Sequence, residues 1–118
     1  MSSPFNPGDD LIFQLESGFG LLRVLAVECE GADTIWHLMA YDEFFPDVET
    51  AEAALARDVP LPIRKAHMAL TNRAFERTPA ARLGNRPITD DELTGYRDWL
   101  NTDRTISDRS ALLMLGIR

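Results

Sequence analysis

The chain has 118 residues, of which 45% are apolar and 26% charged, with one cysteine and a net charge of −7. These values fit one globular domain spanning residues 1–118 and argue against disorder. The single cysteine excludes an internal disulfide, no apolar run approaches the roughly 20 residues that span a bilayer, and the negative charge argues against nucleic-acid binding. We therefore expect a cytoplasmic protein that makes no contact with membranes.

The N-terminal third is predicted to be an antiparallel β-meander. A polar lead-in over residues 1–10 lacks the pattern of a signal peptide, and three apolar strands follow within residues 11–41. Turn residues separate the strands at Ser17–Gly20 and Glu30–Asp33. Strands joined by connections this short pair antiparallel, because parallel pairing needs a long crossover.

The second and third strands are apolar on both faces, whereas a sheet with one wet face would alternate. Regular alternation puts one set of side chains on a common face: Leu25, Val27, Cys29, Ile35, His37 and Met39. We therefore expect the sheet to curl onto itself and helices to pack against it.

The middle of the chain is predicted to contain a helix and a fourth strand. Asp47 can cap a helix over residues 48–57, which the prolines after it end. Residues 63–70 read as a strand, and residues 71–77 as a short helical turn. Arg82 to Pro87 reads as a loop.

The clearest helix start is the capping box of Thr89 and Glu92. It predicts a helix over residues 89–101 that buries an apolar stripe of Leu93, Tyr96 and Leu100. Ser110 to Leu115 reads as a last helical turn. The predicted fold class is α+β, a curled antiparallel sheet of four or five strands with two packed helices.

Charge is distributed unevenly along the chain. Residues 1–58 hold twelve acids and two bases, a net of −10, whereas residues 59–118 hold seven acids and ten bases, a net of +3. The most basic stretch contains Arg64, Lys65, Arg73, Arg77, Arg82 and Arg86. These bases could pair with the acidic meander within the fold, face an acidic partner protein, or bind nucleic acid.

An aromatic and acidic run leaves the meander and is the other candidate binding surface, because aromatic residues are enriched in interface cores. Its members are Tyr41, Asp42, Glu43, Phe44, Phe45 and Asp47. The competing interpretation is that Phe44 and Phe45 plug the open end of the sheet, since exposed aromatic pairs are unfavourable.

Catalytic, metal and cofactor patterns are not evident in the sequence. Cys29 ends an apolar strand, where a buried position is expected for a free cysteine. His37 and His67 are expected to be structural histidines in strands, and no spacing typical of zinc ligands links them to Cys29. We therefore predict no catalytic residue, no metal site, no cofactor and no enzymatic activity.

The turn Pro7–Asp9, the strand after it and the segment Gly18–Leu25 resemble the opening of small bacterial SH3-like β-barrel proteins. Within that group they are most similar to immunity proteins of polymorphic toxin systems, over about residues 7–41. The resemblance implies an SH3-like or small-barrel sheet and an inhibitory role, and it assigns no functional residue.

Three function classes follow, in order of preference. The first is a small bacterial binding protein that acts through protein–protein contacts, with an immunity-like or inhibitory protein as the specific candidate. Its partner is another protein, or a second copy of the chain in a homodimer, because oppositely charged segments can pair between chains. The second is a nucleic-acid-associated module that uses Arg64 to Arg86. The third is an enzyme of unknown class.

Overall fold

The computed structural model describes residues 4–31, 33–57 and 59–117. Residues 1–3 of the predicted lead-in, Ala32 in the second predicted turn, Asp58 after the predicted helix and the terminal Arg118 lie outside the described residues.

Five antiparallel strands form one sheet in the order β4-β3-β2-β1-β5. The strands are β1 Asp9–Leu15, β2 Gly18–Glu30, β3 Asp33–Tyr41, β4 Ile63–Thr71 and β5 Ala80–Asn85. The meander and the α+β class predicted from the sequence are confirmed. Strands β4 and β5 lie at opposite edges, so the sheet is not closed within the described residues.

Strand β5 replaces the loop that was expected from Arg82 onward, and that prediction was wrong. Its sequence, Ala-Ala-Arg-Leu-Gly-Asn, has little strand propensity. It is held instead by its partner, because β5 pairs with β1 and both Arg82 and Asn85 donate to the buried carboxylate of Asp9. Tertiary contacts, rather than local preference, define this strand.

Four helices pack on the sheet: α1 Val48–Ala56, α2 Asn72–Glu76, α3 Thr94–Leu100 and α4 Ala111–Leu115. Two of them, α1 and α3, are the expected packed helices, and α2 and α4 lie where the sequence predicted short helical turns. Asp47 caps α1 by accepting a hydrogen bond of 2.7 Å from the Thr50 N–H. Thr71 and Ser110 cap α2 and α4 in the same way. Among the described residues, no helix is long and apolar enough to cross a membrane.

The capping box forms, but the regular helix begins later than predicted. The Thr89 N–H donates to Glu92 Oε1 at 2.9 Å, and the Glu92 N–H donates to Thr89 Oγ1 at 3.2 Å. Residues 90–93 form turns, and α3 starts only at Thr94. The stripe of Leu93, Tyr96 and Leu100 is half-buried rather than buried.

Both faces of the sheet are covered, as the two-sided apolar pattern predicts. The face that carries Trp36, here the Trp36 face, packs against α2 and α4 through Phe75 and Leu115. The opposite face, here the Met39 face, packs against α1 through Ala51 and Ala54, and half-buried Tyr96 of α3 also contacts it. The two faces are two separate apolar clusters divided by the sheet.

The strand pairings contain four register shifts, one between β1 and β5, one between β2 and β3 and two between β3 and β4, and two β-bulges among them affect the Met39 face. One lies in β2 between Val24 and Ala26, so Ala26 pairs with His37, and Val27 pairs with Trp36 on the Trp36 face. The expected grouping of Leu25, Val27 and Cys29 on one face is therefore wrong. The other bulge lies in β4 opposite Met39, where the register shifts between Met68 and Lys65.

Cys29 is exposed, which corrects the expectation of a buried position. It pairs with Thr34 near the far end of the β2–β3 hairpin. Glu28 beside it is only half-buried, so the hairpin extends here beyond the well-packed part of the core.

Candidate binding cavity

A cavity of about 650 Å³ opens on the Met39 face between α1 and the start of α3. Met39 and Tyr41 of β3 are among its lining residues, with Leu55 from α1 and Gly95 from α3 on its sides. The volume lies within the roughly 300–1,000 Å³ typical of ligand sites. The cavity is therefore large enough to receive a small molecule or a side chain of another protein.

The connection between α1 and β4 gives the cavity an apolar mouth. Val59 and Ile63 line it and are 69% and 52% exposed, and Pro60 and Leu61 lie between them along the chain. Exposed apolar groups next to a concave surface are typical of interaction sites.

The opposite wall is polar and is built on Arg23, which is 1% exposed. Its guanidinium donates to Asp10 Oδ1 at 3.2 Å and to the Gly8 carbonyl at 2.9 Å, and its Nε lies 2.6 Å from Glu92 Oε2. It also donates to the carbonyls of Arg86 and Pro87. One side chain thus ties β2 to the lead-in, the end of β5 and the capping box before α3.

Arg86 extends this network to the floor of the cavity. It donates to both oxygens of buried Asp10, at 2.7 and 3.0 Å, and to the Tyr41 hydroxyl at 3.1 Å. The hydrogen bonds that Arg86 donates to Asp10 hold the pKa of Arg86 above its ordinary range, although burial opposes this. Burial and the nearby Asp10 carboxylate raise the pKa of Tyr41, so its hydroxyl is neutral at physiological pH.

The basic stretch predicted as a partner surface is largely paired within the fold. The ion pairs are Arg64 with Asp42, Arg73 with Asp108, Arg82 with Asp9 and Arg86 with Asp10. Arg77 donates to the Asp108 carbonyl, and Lys65 is half-buried in β4. Three of the four acids belong to the N-terminal half, so charge complementarity between the halves operates inside the molecule.

The aromatic and acidic run is divided among several structural roles. Tyr41 and Phe45 are buried in the Met39-face cluster, and the main chain of Phe45 pairs with Phe19. Asp42 pairs with Arg64 and Asp47 caps α1, while Glu43 lies 3.9 Å from Arg57. Phe44 is the exposed aromatic of the run. Only Tyr41 reaches the cavity.

A histidine pair lies beside the cavity, under α3. His37 is 0% exposed; its Nδ1 lies 2.9 Å from His67 Nε2, and its Nε2 lies 2.6 Å from Glu28 Oε1. The rings of Tyr96 and Trp99 from α3 pack against both imidazoles, at centroid distances of 4.6 to 5.9 Å. The Tyr96 hydroxyl donates to the same Glu28 oxygen at 3.3 Å.

Both histidines are held neutral. Burial lowers the pKa of His37 even though Glu28 opposes the shift. Burial, with His37 and Lys65 nearby, lowers the pKa of His67 from 6.5 to about 4, which corresponds to at most roughly 3 kcal/mol. Attraction of an imidazolium to the α3 rings is worth about 2 kcal/mol at a desolvated site, so it does not reverse the effect.

The sequence analysis missed Arg23 and the contact between the histidines. Arg23 stands within Leu21–Leu25, and a charge inside an apolar strand needs a buried partner, which was an available signal. The histidine pair had none, because the sequence does not specify the register that sets β4 beside β3, and the bulge in β2 brings Glu28 onto the Met39 face with His37. Among the described residues, no group of three or more potential ligands is arranged to hold a metal ion.

Gly95 lets α3 approach β4 closely. A Cβ there would lie 3.1 Å from His67 Cβ and 3.2 Å from the Ala66 carbonyl oxygen. We expect Gly95→Ala to lower the free energy of unfolding by about 1 kcal/mol, because roughly 2 kcal/mol of overpacking outweighs about 1 kcal/mol of helix propensity. Urea denaturation measures this change in stability. Gly84→Ala is the control, because a Cβ at Gly84 would have no neighbouring atom within 4 Å. Stabilisation by Gly95→Ala would contradict the close contact.

Comparison with known proteins gave no match: no family model, no curated protein and no solved structure matches this chain.

Proposed function

We propose that the protein is a binding protein that acts through protein–protein contacts, and that the cavity on the Met39 face is its binding site. The observation that carries this proposal is the apolar mouth of the cavity, where Val59 and Ile63 remain exposed. Burial of such side chains by a partner is favourable by about 25 cal/mol per Å² of apolar surface.

The occupant we propose is an apolar side chain of the partner with basic residues on either side of it. Asp91 and Asp98 are exposed at the rim on the α3 side. Within the part of the chain that the structure describes, neither makes an ion pair. The chain also carries a net charge of −7, which favours encounter with a cationic partner.

Within this class we propose an immunity-like or inhibitory protein with an SH3-like sheet. The resemblance of residues 7–41 supports this, and the five-stranded antiparallel sheet is compatible with it. The nucleic-acid alternative loses support, because most of the bases it needs are engaged in ion pairs.

The test is binding of short synthetic peptides in which one Leu, Phe or Trp is flanked by lysine and glycine. We expect the peptides to bind, and Val59→Asp to weaken binding at least tenfold, or about 1.4 kcal/mol, in a fluorescence anisotropy titration. Leu113→Asp is the matched control, because Leu113 on α4 is also 69% exposed but lies away from the cavity.

Equal binding by Val59→Asp and Leu113→Asp would show that the cavity is not the binding site. Tight binding of a peptide that carries only lysine and glycine would show the same. Sedimentation of the unliganded protein tests whether the chain forms a homodimer. A concentration-dependent dimer that Val59→Asp disrupts would assign the cavity to a second copy of the chain and overturn the choice of a separate partner.

A further inference from the structure

Helix α3 has one side on the cavity and another on the histidine pair. Thr94, Gly95 and Asp98 line the cavity. Tyr96 and Trp99, from the same seven-residue helix, pack on the rings of His37 and His67. The helix that covers the two histidines therefore also forms one wall of the cavity.

The contact between the rings limits how many protons the pair can hold. When His37 is neutral and donates from Nε2 to Glu28, its Nδ1 must accept, so His67 donates from Nε2. One additional proton can be placed on the outer nitrogen of His67 without loss of this bond. A second proton makes both facing nitrogens donors, and the hydrogen bond between the rings is then lost.

The charges around the pair do not compensate for protonation of His67. From β2, Glu28 faces His37; from β4, Lys65 adds positive charge near His67. From α3, the neutral Tyr96 hydroxyl bonds Glu28, and Arg104 after the helix acts on Tyr96. The single carboxylate is thus bound to His37 and Tyr96, and His67 has a cation as its charged neighbour.

We propose that His37 and His67 form a proton-operated latch, in which proton uptake in mildly acidic solution releases α3 from the sheet and opens the wall of the cavity. Released α3 exposes both imidazoles to water, where they bind protons more readily than in the closed state. The consequence for binding rests on the proposed function: an occupant held between α1 and α3 leaves as the wall opens.

The experiment measures amide hydrogen exchange of the full chain by NMR at pH 7.5 and 5.5. We expect the protection factors of α3 amides, corrected for intrinsic exchange, to fall about tenfold from pH 7.5 to pH 5.5. This is the effect of one histidine that has its ordinary pKa in the open state and a lowered pKa in the closed state. Helix α1 packs on the same face through Ala51 and Ala54, away from the histidines, and is the internal control. The double variant His37→Gln, His67→Gln should remove the effect.

Unchanged α3 protection in the wild-type chain would overturn the latch, as would an equal loss of protection in α1 or an unaltered pH effect in the double variant. The wild-type measurement decides the matter even if the double variant does not fold. A second titration, with the Phe-centred peptide, is expected to show weaker binding at pH 5.5, by a factor set by the fraction of molecules in which α3 is released. If the peptide binds at neither pH while α3 protection still falls, the proposed function fails and the latch stands. If the peptide binds equally at both pH values while α3 opens, the proposed coupling between the latch and the cavity is wrong.

Discussion

Replacement of Arg23 by methionine is expected to lower the free energy of unfolding by about 3–5 kcal/mol, which is typical for removing one partner of a buried ion pair. Methionine fills a similar volume but removes the side-chain donor to the Pro87 carbonyl and leaves the Gly8 carbonyl with the Arg86 N–H alone. Glu92 loses its charged partner, and Asp10 keeps only Arg86. Urea denaturation at pH 7.5 measures the change.

Two variants separate the network from charge alone. Arg97→Met removes an exposed pair with Asp90 in α3 and is expected to change stability by less than about 1 kcal/mol. Arg23→Lys keeps the charge but replaces a planar group of three nitrogens by a single ammonium, so it cannot reach all the acceptors. It should lose most of what Arg23→Met loses. Equal effects of Arg23→Met and Arg97→Met would mean that the network does not hold the fold together.

The same arginine shows why part of the site could not be read from the sequence. Asp10 was placed in the polar lead-in and Glu92 in a capping box; the box forms, whereas Asp10 lies in strand β1. Both also bind Arg23, from positions 13 and 69 residues away along the chain. Local patterns therefore identify one partner of a polar group, while a buried carboxylate has capacity for several.

Elements with strong local signals were predictable. The meander strands carry long apolar runs, and α1 begins at the Asp47 cap that its sequence indicates. Strand β5 depends on a partner distant in sequence, β1, and Glu92 in the turns before α3 is paired with Arg23. A strand that relies on its neighbour for hydrogen bonds needs little propensity of its own.

The β2 bulge is the reason why the contacts around His37 could not be predicted from the sequence. A continuous apolar run, Val24–Val27, contains no polar residue that would reveal a slip in alternation. One extra residue moves every later side chain to the opposite face. Glu28 therefore meets His37 although regular alternation separates them. Their contact depends on register, which the sequence of one strand does not specify.

The free energy of unfolding is expected to fall by about 2 kcal/mol between pH 7.5 and pH 5 through His67 alone. Its pKa is lowered from 6.5 to about 4 in the folded chain. The unfolded chain therefore binds the proton first as the pH falls. The stability is complete above pH 6.5, declines from there to about pH 4, and declines no further below it from this cause.

His67→Gln provides the comparison, because its amide can still donate to His37 Nδ1 but cannot titrate. Urea denaturation at several pH values should give curves for the wild type and the variant that diverge by about 2 kcal/mol as the pH falls to 5, while carboxylates common to both cancel in the difference. Lys65→Gln removes the positive charge that helps lower the pKa of His67, so its pH dependence should lie between the two. Parallel curves for wild type and His67→Gln would show that His67 titrates alike in both states, and burial under α3 would then not control its proton.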